Sequence, residues 1–476
     1  MYRSTLLLSL PAGLLAVGLL GCVTTEEGSL NSAMETRGFQ AKQEIVPDFG
    51  ALIPETGQEG RDLITFDALE RVSTGVPWPR GLAFVDDELI VLARGRHRNA
   101  GGVDHGIEDF TGSLFRVNLD LAEPVVVGEL ASIGVKQNAR ILTGPSPEVF
   151  NLPDTAKNPF DDGLMDRPYC TLVYDEQSQN LIICGYSGVD LPGRKFRKNA
   201  TDSVHRFDMR LNQWFPVEMH DADSVPFDEL GYVVSDEYYP HHDVSRNAAP
   251  HGWINGPDGC LVVGDFLYVA AKDNHRLVQY DWAEVIADGS TTYPESRPVL
   301  GARVRVSSPM GVKEMDVAGP SALTLRDGYM YVGYRTASVV LRFPLQENGD
   351  FVQPADGGLP VGELIAAFEP WDAERGRSAN LIDLTFGPDG RLFASTASEG
   401  KIWCIGQPDP ARPFYGNDQT DRQPTAPPAL RLADLTGKPS RTGNIQFDDE
   451  GRLYICSGNY DSDSTVLAGV IYRASN

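Results

Sequence analysis

Residues 383–394 have the sequence Asp-Leu-Thr-Phe-Gly-Pro-Asp-Gly-Arg-Leu-Phe-Ala. Apolar residues recur on each side of the Gly-Pro-Asp-Gly segment, which is typical of two β-strands joined by a tight turn. A third short apolar run, from Lys401 to Ile405, follows after a few residues. This stretch therefore predicts three successive antiparallel strands of one sheet.

The same pattern recurs along the chain. Each copy has an apolar strand, a turn rich in Asp or Gly, a second strand that usually contains an aromatic residue, and a third strand. Fourth strands are predicted at 124–128, 215–218, 299–304 and 364–368. The copies start at Leu82, Thr171, Cys260, Ala322, Asp383 and Asn444.

A four-stranded sheet of this kind has two faces to cover, and copies arranged radially cover one another's faces. The repeats thus predict an all-β chain folded as a six-bladed β-propeller. Seven blades is the alternative, because the long spacings between the first three copies leave room for another blade. The last copy lacks a fourth strand, so Leu63–Leu69 is expected to close the ring as an N-terminal strand. The propeller is predicted to span residues 61–476.

The N-terminus has the features of an export signal. Arg3 precedes an apolar run, Leu6 to Leu20, which is shorter than the ~20 residues that a membrane-spanning helix needs. The run ends in Leu19-Leu20-Gly21-Cys22, which resembles the lipobox of bacterial lipoproteins. That resemblance implies cleavage before Cys22 and attachment of lipid, palmitate included, at this residue. An ordinary signal peptide with an incidental cysteine is the alternative.

Residues 1–21 are thus predicted to be a signal peptide, and residues 22–60 a flexible, disordered tether. The tether is rich in Thr, Glu, Gly, Ser and Gln, and it has too little apolar surface to fold on its own. We expect an exported, lipid-anchored protein of the cell envelope, at the outer membrane or at a periplasmic or extracellular face. Its contact with the membrane is expected to be the lipid only.

The chain is strongly acidic, with 66 Asp and Glu against 41 Lys and Arg and a net charge of −25. Such a charge repels nucleic acid, which is therefore excluded as a partner. Five cysteines follow Cys22, without the CxxC spacing of zinc or haem sites. They are expected to be either buried thiols or disulfide partners: Cys170, Cys184, Cys260, Cys404 and Cys456.

In a propeller, the loops that enter the first strand and those that join the second strand to the third meet at one mouth of the central channel, where a ligand site is expected. Two long insertions, 94–112 and 218–255, enlarge this mouth, and such long loops are uncommon without a function. Imidazoles and carboxylates can bind ligands or metal ions, although their spacing here matches no known metal motif. The ligand-binding candidates are His97, His105, His241, His242 and His251 in the insertions, with Arg80 and Asn380 beside first strands; the metal candidates are Asp104, Asp243 and Asp258.

The Leu-Tyr-Val strands and the Asp-Gly turns that precede them resemble those of NHL and SMP-30/gluconolactonase-like propellers, over about residues 82–476. The resemblance implies a divalent cation, often Ca²⁺ in that family, which activates a water to open lactone rings. Asp258, in the segment Gly256-Pro-Asp-Gly, matches the family's acidic ligand. The family's Asn-Gly is not reproduced at other first strands, where Arg80, Ser321 and Ile382 stand.

Three functions remain open at this point. The first is a non-catalytic module of the cell envelope whose mouth binds a small polar ligand, a carbohydrate, a peptide or a partner protein. The second is a lactonase or esterase that depends on a divalent metal, and the third is a structural scaffold. No Gly-x-Ser-x-Gly, P-loop or HExxH motif is present to identify an enzyme.

Overall fold

Almost all of the regular structure is β-strand, because β-branched and aromatic residues fill the apolar positions and Gly, Asp and Asn fill the turns. The computed structural model describes only parts of the unit Val46–Asn476. The described residues are 68–74, 76, 79–86, 88–93, 113–119, 139–143, 171–185, 203–219, 254, 256–272, 275–287, 294, 296–308, 311–368, 378–397, 400–416, 429–431, 441–458 and 469–475.

The described strands and one short helix follow in chain order. They are β1 (Ala68–Thr74), β2 (Pro79–Val85), β3 (Glu88–Ala93), β4 (Ser113–Val117), β5 (Ala139–Thr143), β6 (Leu172–Asp175), β7 (Asn180–Gly185), β8 (Ser203–Asp208), β9 (Gln213–Met219), β10 (Pro257–Val263), β11 (Phe266–Ala271), β12 (Arg276–Asp281), α1 (Trp282–Ile286), β13 (Ser296–Leu300), β14 (Arg303–Ser308), β15 (Gly311–Asp316), β16 (Pro320–Arg326), β17 (Tyr329–Tyr334), β18 (Val339–Pro344), β19 (Val361–Phe368), β20 (Leu381–Phe386), β21 (Leu392–Thr396), β22 (Lys401–Gly406), β23 (Phe414–Gly416), β24 (Ala429–Arg431), β25 (Arg441–Phe447), β26 (Leu453–Gly458) and β27 (Gly469–Ser475).

Within the described residues, these strands form six sheets. Five have four strands, in the orders β2-β3-β4-β5, β6-β7-β8-β9, β10-β11-β12-β13, β20-β21-β22-β24 and β1-β27-β26-β25. The sixth has the order β15-β14-β19-β18-β17-β16, and β23 pairs with β19. The first strands β2, β6, β10, β16, β20 and β25 contact one another in that cyclic order, and β25 returns to β2.

This circuit confirms the predicted all-β, propeller-like ring of sheets. The number of blades, six with seven as the alternative, stays a prediction, because residues 144–170 and 220–253 lie outside the described part of the chain. None of the helical structure in the described part has the length and hydropathy needed to cross a bilayer.

The ring closes through β1, which pairs with β27 at the other end of the chain. Glu70 lies opposite Arg473, and the Arg473 Nη2 donates to the Glu70 Oε2 over 2.5 Å. Val72 is buried among the apolar residues of the adjacent strands. The closing strand lies C-terminal to the predicted Leu63–Leu69 and shares only Ala68 and Leu69 with it. The domain boundaries themselves stay a prediction.

Two predicted fourth strands differ from the structure. The predicted strand 299–304 is divided between β13 and β14, because the chain leaves one sheet after Leu300 and β14 pairs in parallel with β19 of the next. The fourth strand of the β2 sheet is β5, whereas the predicted 124–128 lies outside the described residues. The predicted strands 215–218 and 364–368 fall within β9 and β19.

Apolar side chains from adjacent sheets pack against one another to form the core. One cluster joins Leu92 of β3, Ile183 of β7 and Val269 of β11, all fully buried. Four of the five cysteines beyond Cys22 are described, and each is buried and takes part in no disulfide: Cys184, Cys260, Cys404 and Cys456. These four therefore act as small apolar core residues, and Cys170 lies outside the described residues.

Candidate functional site

One backbone arrangement is repeated where three consecutive first strands begin. Gly256, Gly319 and Asn380 directly precede β10, β16 and β20, and all three have a φ near +60°. Their carbonyl oxygens accept hydrogen bonds from the backbone N–H groups of Lys272, Arg335 and Ala397, at 3.1, 2.5 and 2.9 Å respectively. These donors lie in the loops that follow β11, β17 and β21. First-strand starts and second-to-third-strand loops thus lie at the same end of the ring, which we call the mouth.

A β-bulge follows at the second residue of each of these first strands, and also in β2. The pairing shifts register between the residues that flank Arg80, Asp258, Ser321 and Ile382. A bulge turns the strand and directs the extra residue away from the regular ladder. All four side chains are buried. The Ser321 hydroxyl, for example, donates to the carbonyl oxygen of Leu381 in the neighbouring first strand over 2.8 Å.

The Arg335 guanidinium connects three sheets at the mouth. Its Nη1 donates to the Asp258 Oδ2 over 3.2 Å, and its Nε donates to the Asn380 Oδ1. Asp258 is 2% exposed, and the Arg335 side chain is 12% exposed. Asn380 occupies the left-handed conformation that glycine holds in the two preceding copies, a conformation that asparagine tolerates better than most residues. The Asn380 side-chain amide therefore occupies a position at which the glycines of the two preceding copies have no side-chain atoms.

Three cations act on the buried Asp258 carboxyl. Burial raises the pKa of Asp258, and the charges of Arg335, Lys272 and Arg80 oppose that rise. Arg80 is 4% exposed, and its Nη1 donates to the Thr442 carbonyl oxygen over 3.3 Å. Lys272 is half-buried. Arg80, Lys272 and Arg335 come from three different sheets, so only the closed ring brings them together.

A second buried carboxyl, Asp383, lies near Asp258. Its oxygens accept hydrogen bonds from the backbone N–H groups of Leu384 and Ile445, each over 2.9 Å, and from the side chain of Asn444. Burial raises the pKa of Asp383 to about 7, and the negative charge of Asp258 contributes in the same direction. Asp383 therefore changes its protonation state near neutral pH.

His275 lies in the loop after β11, directly before β12, with a φ of 58°. Its Nδ1 lies 3.2 Å from the backbone N of Gly319, which donates to it, and 3.1 Å from the Lys272 carbonyl oxygen. Nδ1 accepts the Gly319 N–H when it is unprotonated and donates to the Lys272 carbonyl oxygen when it carries the proton, so the ring tautomer decides which of the two bonds forms. His275 thus links the loop of one sheet to the strand start of the next.

The structure describes three of the predicted site residues, Arg80, Asn380 and Asp258, and all three lie at the mouth. Arg335 joins Asp258 to Asn380, and Arg80 acts on the same Asp258 charge. The predictions for the following residues lie outside the described part of the chain: His97, Asp104, His105, His241, His242, Asp243, His251 and Cys22.

Sequence reasoning missed Arg335, Lys272 and Asp383. Arg335 and Lys272 follow the apolar ends of β17 and β11, and each looked like an ordinary turn residue. Comparison of the repeats could have identified Arg335 and Lys272, because both are cations at the same position of consecutive copies. Asp383 lies inside β20, where a buried acid interrupts an otherwise apolar strand start.

The described mouth residues do not fit a Ca²⁺ site on their own. Asp258 pairs with the Arg335 guanidinium, and within the described residues no three or more His, Cys, Asp or Glu side chains are grouped so that they could hold a metal ion. Calcium usually takes six to eight oxygen ligands. The predicted divalent cation therefore stays a prediction, and its further ligands Asp104 and Asp243 lie outside the described residues.

Neither a protein-family model nor a curated protein sequence matches the chain. Similar solved structures include a protein provisionally assigned as a gluconolactonase, 14% identical, with 90% of this chain and 96% of that chain covered at a TM-score of 0.38. Virginiamycin B lyase from Staphylococcus aureus is 11% identical, with 86% and 99% covered at a TM-score of 0.37. A PQQ-bound aldose sugar dehydrogenase from Streptomyces coelicolor is 11% identical, with 86% and 98% covered at a TM-score of 0.42. Gluconolactonase-like and related propellers are thus among the neighbours of this structure, and at these values the likeness says nothing about the chemistry of the mouth.

Proposed function

We propose that this protein binds a small polar ligand at the mouth of the ring, and that lipid at Cys22 holds it at the cell envelope. The observation that supports the binding role is the mouth cluster, which we define as Arg80, Asp258, Lys272, Arg335 and Asn380. Its five members come from four sheets, since Asp258 and Lys272 share one, and they lie together at one end of the first strands.

The energetic cost of the mouth cluster favours a functional role over a structural one. Removing an ion from water costs several kcal/mol, and well-packed apolar residues in place of a buried ion pair are often as stable or more stable. The rest of the ring is held together by apolar contacts between sheets. The cluster also includes Asn380 in a conformation that costs energy for most side chains. For a scaffold alone, apolar residues would connect these sheets at a lower energetic cost.

The depth of the cluster favours a small ligand over a partner protein. Asp258 and Arg80 are almost fully buried, so a flat protein surface cannot reach them. A carbohydrate or the end of a peptide can enter a concave site and pair with such groups. The net charge of −25 disfavours nucleic acid.

A thermal-shift panel tests the binding role. A ligand that binds only the folded state raises Tm in proportion to the logarithm of its concentration over Kd. The probes are glucose, succinate, inorganic phosphate and triglycine. We expect at least one probe to raise the Tm of the wild type and to have a smaller effect on Arg335→Gln. Arg305→Gln is the matched control, because Arg305 forms a remote surface pair with Asp356. A panel without any shift counts against the proposal.

A second candidate, a hydrolase of lactones or esters, is favoured by Asp383. A carboxyl whose pKa is about 7 can give and take a proton near neutral pH, as general acid–base catalysis requires. The test is hydrolysis of a lactone and an aryl ester, with and without Ca²⁺, Mn²⁺ or Zn²⁺. We expect activity to fall in Asp383→Asn if this candidate is correct. Turnover that is equal in both proteins argues against it.

A further inference from the structure

Asp383 and Asn444 are buried polar residues on two neighbouring first strands. Asp383 belongs to β20 and is 6% exposed, and Asn444 belongs to β25 and is 3% exposed. The Asp383 Oδ2 accepts the backbone N–H of Ile445 over 2.9 Å, which fixes the carboxyl beside the Asn444 side chain. Because bulk water is excluded here, the two side chains depend on each other and on the adjacent backbone for hydrogen bonds.

The Asn444 side chain carries a buried acceptor without a donor. Its amide donates to the Asp383 carboxyl, whereas its Oδ1 has no hydrogen-bond partner among the described residues. A buried oxygen without a donor has lost its hydration without compensation, and such atoms are rare in folded proteins. The position of the Asn444 Oδ1 therefore requires a donor.

A protonated carboxyl supplies such a donor. A neutral acid has one O–H and keeps acceptor capacity, while a primary amide has an oxygen acceptor and two N–H donors. The two groups can therefore exchange a pair of hydrogen bonds, from the acid O–H to the amide oxygen and from the amide N–H to an acid oxygen. An ionised carboxylate only accepts, so it leaves the amide oxygen without a donor.

We propose that Asp383 and Asn444 form a proton-binding site, in which the Asp383 O–H donates to the Asn444 Oδ1 and joins β20 to β25. Release of this proton to solvent breaks the bond between the two strands and leaves a buried carboxylate beside the amide oxygen. The site is thus a pH-sensitive joint between two adjacent sheets. It does not depend on the binding of a ligand at the mouth.

The charges around the carboxyl place its titration in the neutral range. Burial raises the pKa of Asp383 to about 7, and the charge of Asp258 on β10 acts in the same direction. Cys456 of β26 also interacts with Asp383, but burial raises the pKa of this thiol well above its usual value, which keeps it neutral. Arg80 of β2 acts on both Asp258 and Cys456.

The other strands that pack against β20 bring no described charge to Asp383. Arg326 of β16 and Tyr331 of β17 both contact Phe386, at the opposite end of β20. The sequence of β21, Leu-Phe-Ala-Ser-Thr, has no titratable side chain. In β25 the side chain of Arg441 lies outside the described part of the chain.

Infrared difference spectroscopy of the full chain across the pH range tests the site, because a protonated carboxyl has a C=O band that the ionised form lacks. The Asp383 band is the one that Asp383→Asn removes. We expect it to titrate with a midpoint near 7 in the wild type. In Asn444→Leu the midpoint should fall by about one pH unit or more, because the neutral acid loses its acceptor. If Asn444 only donated to the carboxylate, the same substitution would raise the midpoint.

Ser321→Ala is the matched control. It removes a buried hydrogen bond to the same strand, from the Ser321 hydroxyl to the Leu381 carbonyl oxygen, and should leave the midpoint unchanged. An unchanged or raised midpoint in Asn444→Leu overturns the shared proton, and so does an equal fall in Ser321→Ala. If Asn444→Leu does not fold, Asn444→Ala takes its place. In the wild type itself, a band already lost by about pH 5 overturns the proposal.

Discussion

At the scale of single residues, Asp383 and His205 are buried groups whose pKa values move in opposite directions. Burial raises the pKa of Asp383 to about 7 and lowers the pKa of His205 to about 3. Both side chains therefore favour their neutral forms in the folded protein. Their effects on the free energy of unfolding oppose each other as the pH changes, and separate substitutions distinguish them.

For Asp383, the folded state binds the proton more tightly than the unfolded state, whose pKa is near 3.8. Its stabilising contribution is thus complete below pH 4 and is lost as the pH rises through about 7. We expect the unfolding free energy of the wild type, relative to Asp383→Asn, to fall between pH 4.5 and 7.5, by at most about 1.4 kcal/mol per pH unit. Urea unfolding at four pH values measures this difference.

Asp356→Asn is the matched control for Asp383→Asn. Asp356 is an exposed carboxyl whose pKa is lowered by hydrogen bonds from Arg305, so it stays ionised throughout this pH range. The wild type and Asp356→Asn should therefore differ by a constant amount above pH 5. If the difference in unfolding free energy between the wild type and Asp383→Asn is also constant over this pH range, then Asp383 is not a neutral buried carboxyl.

His205 gives the opposite dependence. It is 1% exposed on β8, and within the described residues its Nδ1 has no hydrogen-bond partner. The unfolded chain takes up a proton below pH 6.5 while the folded chain stays neutral to about pH 3, so stability falls on acidification. In the wild type this fall in the free energy of unfolding is at most about 1.4 kcal/mol per pH unit. We expect it to be absent in His205→Leu. The measurement is denaturant unfolding of the wild type and of His205→Leu at pH 4.5 and pH 7. If the free energy of unfolding changes by the same amount between these pH values in both proteins, the prediction is wrong.

At the scale of strands, neighbouring first strands approach each other closely at glycine residues. A Cβ added to Gly259 of β10 lies only 2.3 Å from the Ser321 carbonyl oxygen and 3.0 Å from its carbon, both backbone atoms of β16. In the same way, a Cβ on Gly81 of β2 lies 2.7 Å from the Leu172 Cβ. Glycine at these positions allows adjacent sheets to meet at the centre.

Gly259→Ala should therefore destabilise the protein by about 1–3 kcal/mol, because a backbone atom cannot rotate away from the added methyl group. Gly328→Ala is the control. Gly328 has a positive φ, but an added Cβ meets nothing within 4 Å, so its cost is backbone strain alone, about 1 kcal/mol. Denaturant unfolding of both variants measures the difference. A cost for Gly259→Ala below that of Gly328→Ala contradicts the close packing of the first strands.

The strands show how far sequence reasoning reaches. The hairpin 383–394 folds as β20 and β21, and the third run folds as β22, because each pattern depends only on neighbouring residues. The division of 299–304 between β13 and β14 depends instead on a parallel partner, β19, far along the chain. Pairing between distant segments leaves no local pattern, and so it was not predicted.

For the site as for the strands, local features could be predicted from the sequence and contacts between distant segments could not. Asp258 and Asn380 were predicted because turn and strand-start residues can be recognised locally. The Arg335 contact with Asp258 spans 77 residues and exists only because two sheets meet at the ring. Predicting it required the register between sheets, and the apolar alternation within each sheet does not specify that register.

At the scale of the whole molecule, the predicted lipid at Cys22 gives a separate test. Cys22→Ser removes the thiol that lipidation requires and leaves the described residues unchanged. We expect the wild type to fractionate with membranes and to enter a detergent phase, and Cys22→Ser to remain in the aqueous fraction. Cys184→Ser is the control, because its thiol is buried in the core and it should leave the fractionation unaltered. Equal fractionation of all three proteins contradicts a lipid at Cys22.

The bulges at the first strands have one more consequence. The same backbone geometry accommodates a guanidinium at Arg80, a carboxyl at Asp258, a hydroxyl at Ser321 and a hydrocarbon at Ile382. The backbone geometry of the bulge is thus compatible with four different types of side chain, each with its own partners. Exchanging residues among these four bulges is a route to new ligand selectivity by design. Each exchange changes the side chain at one first strand while the backbone of the ring is kept.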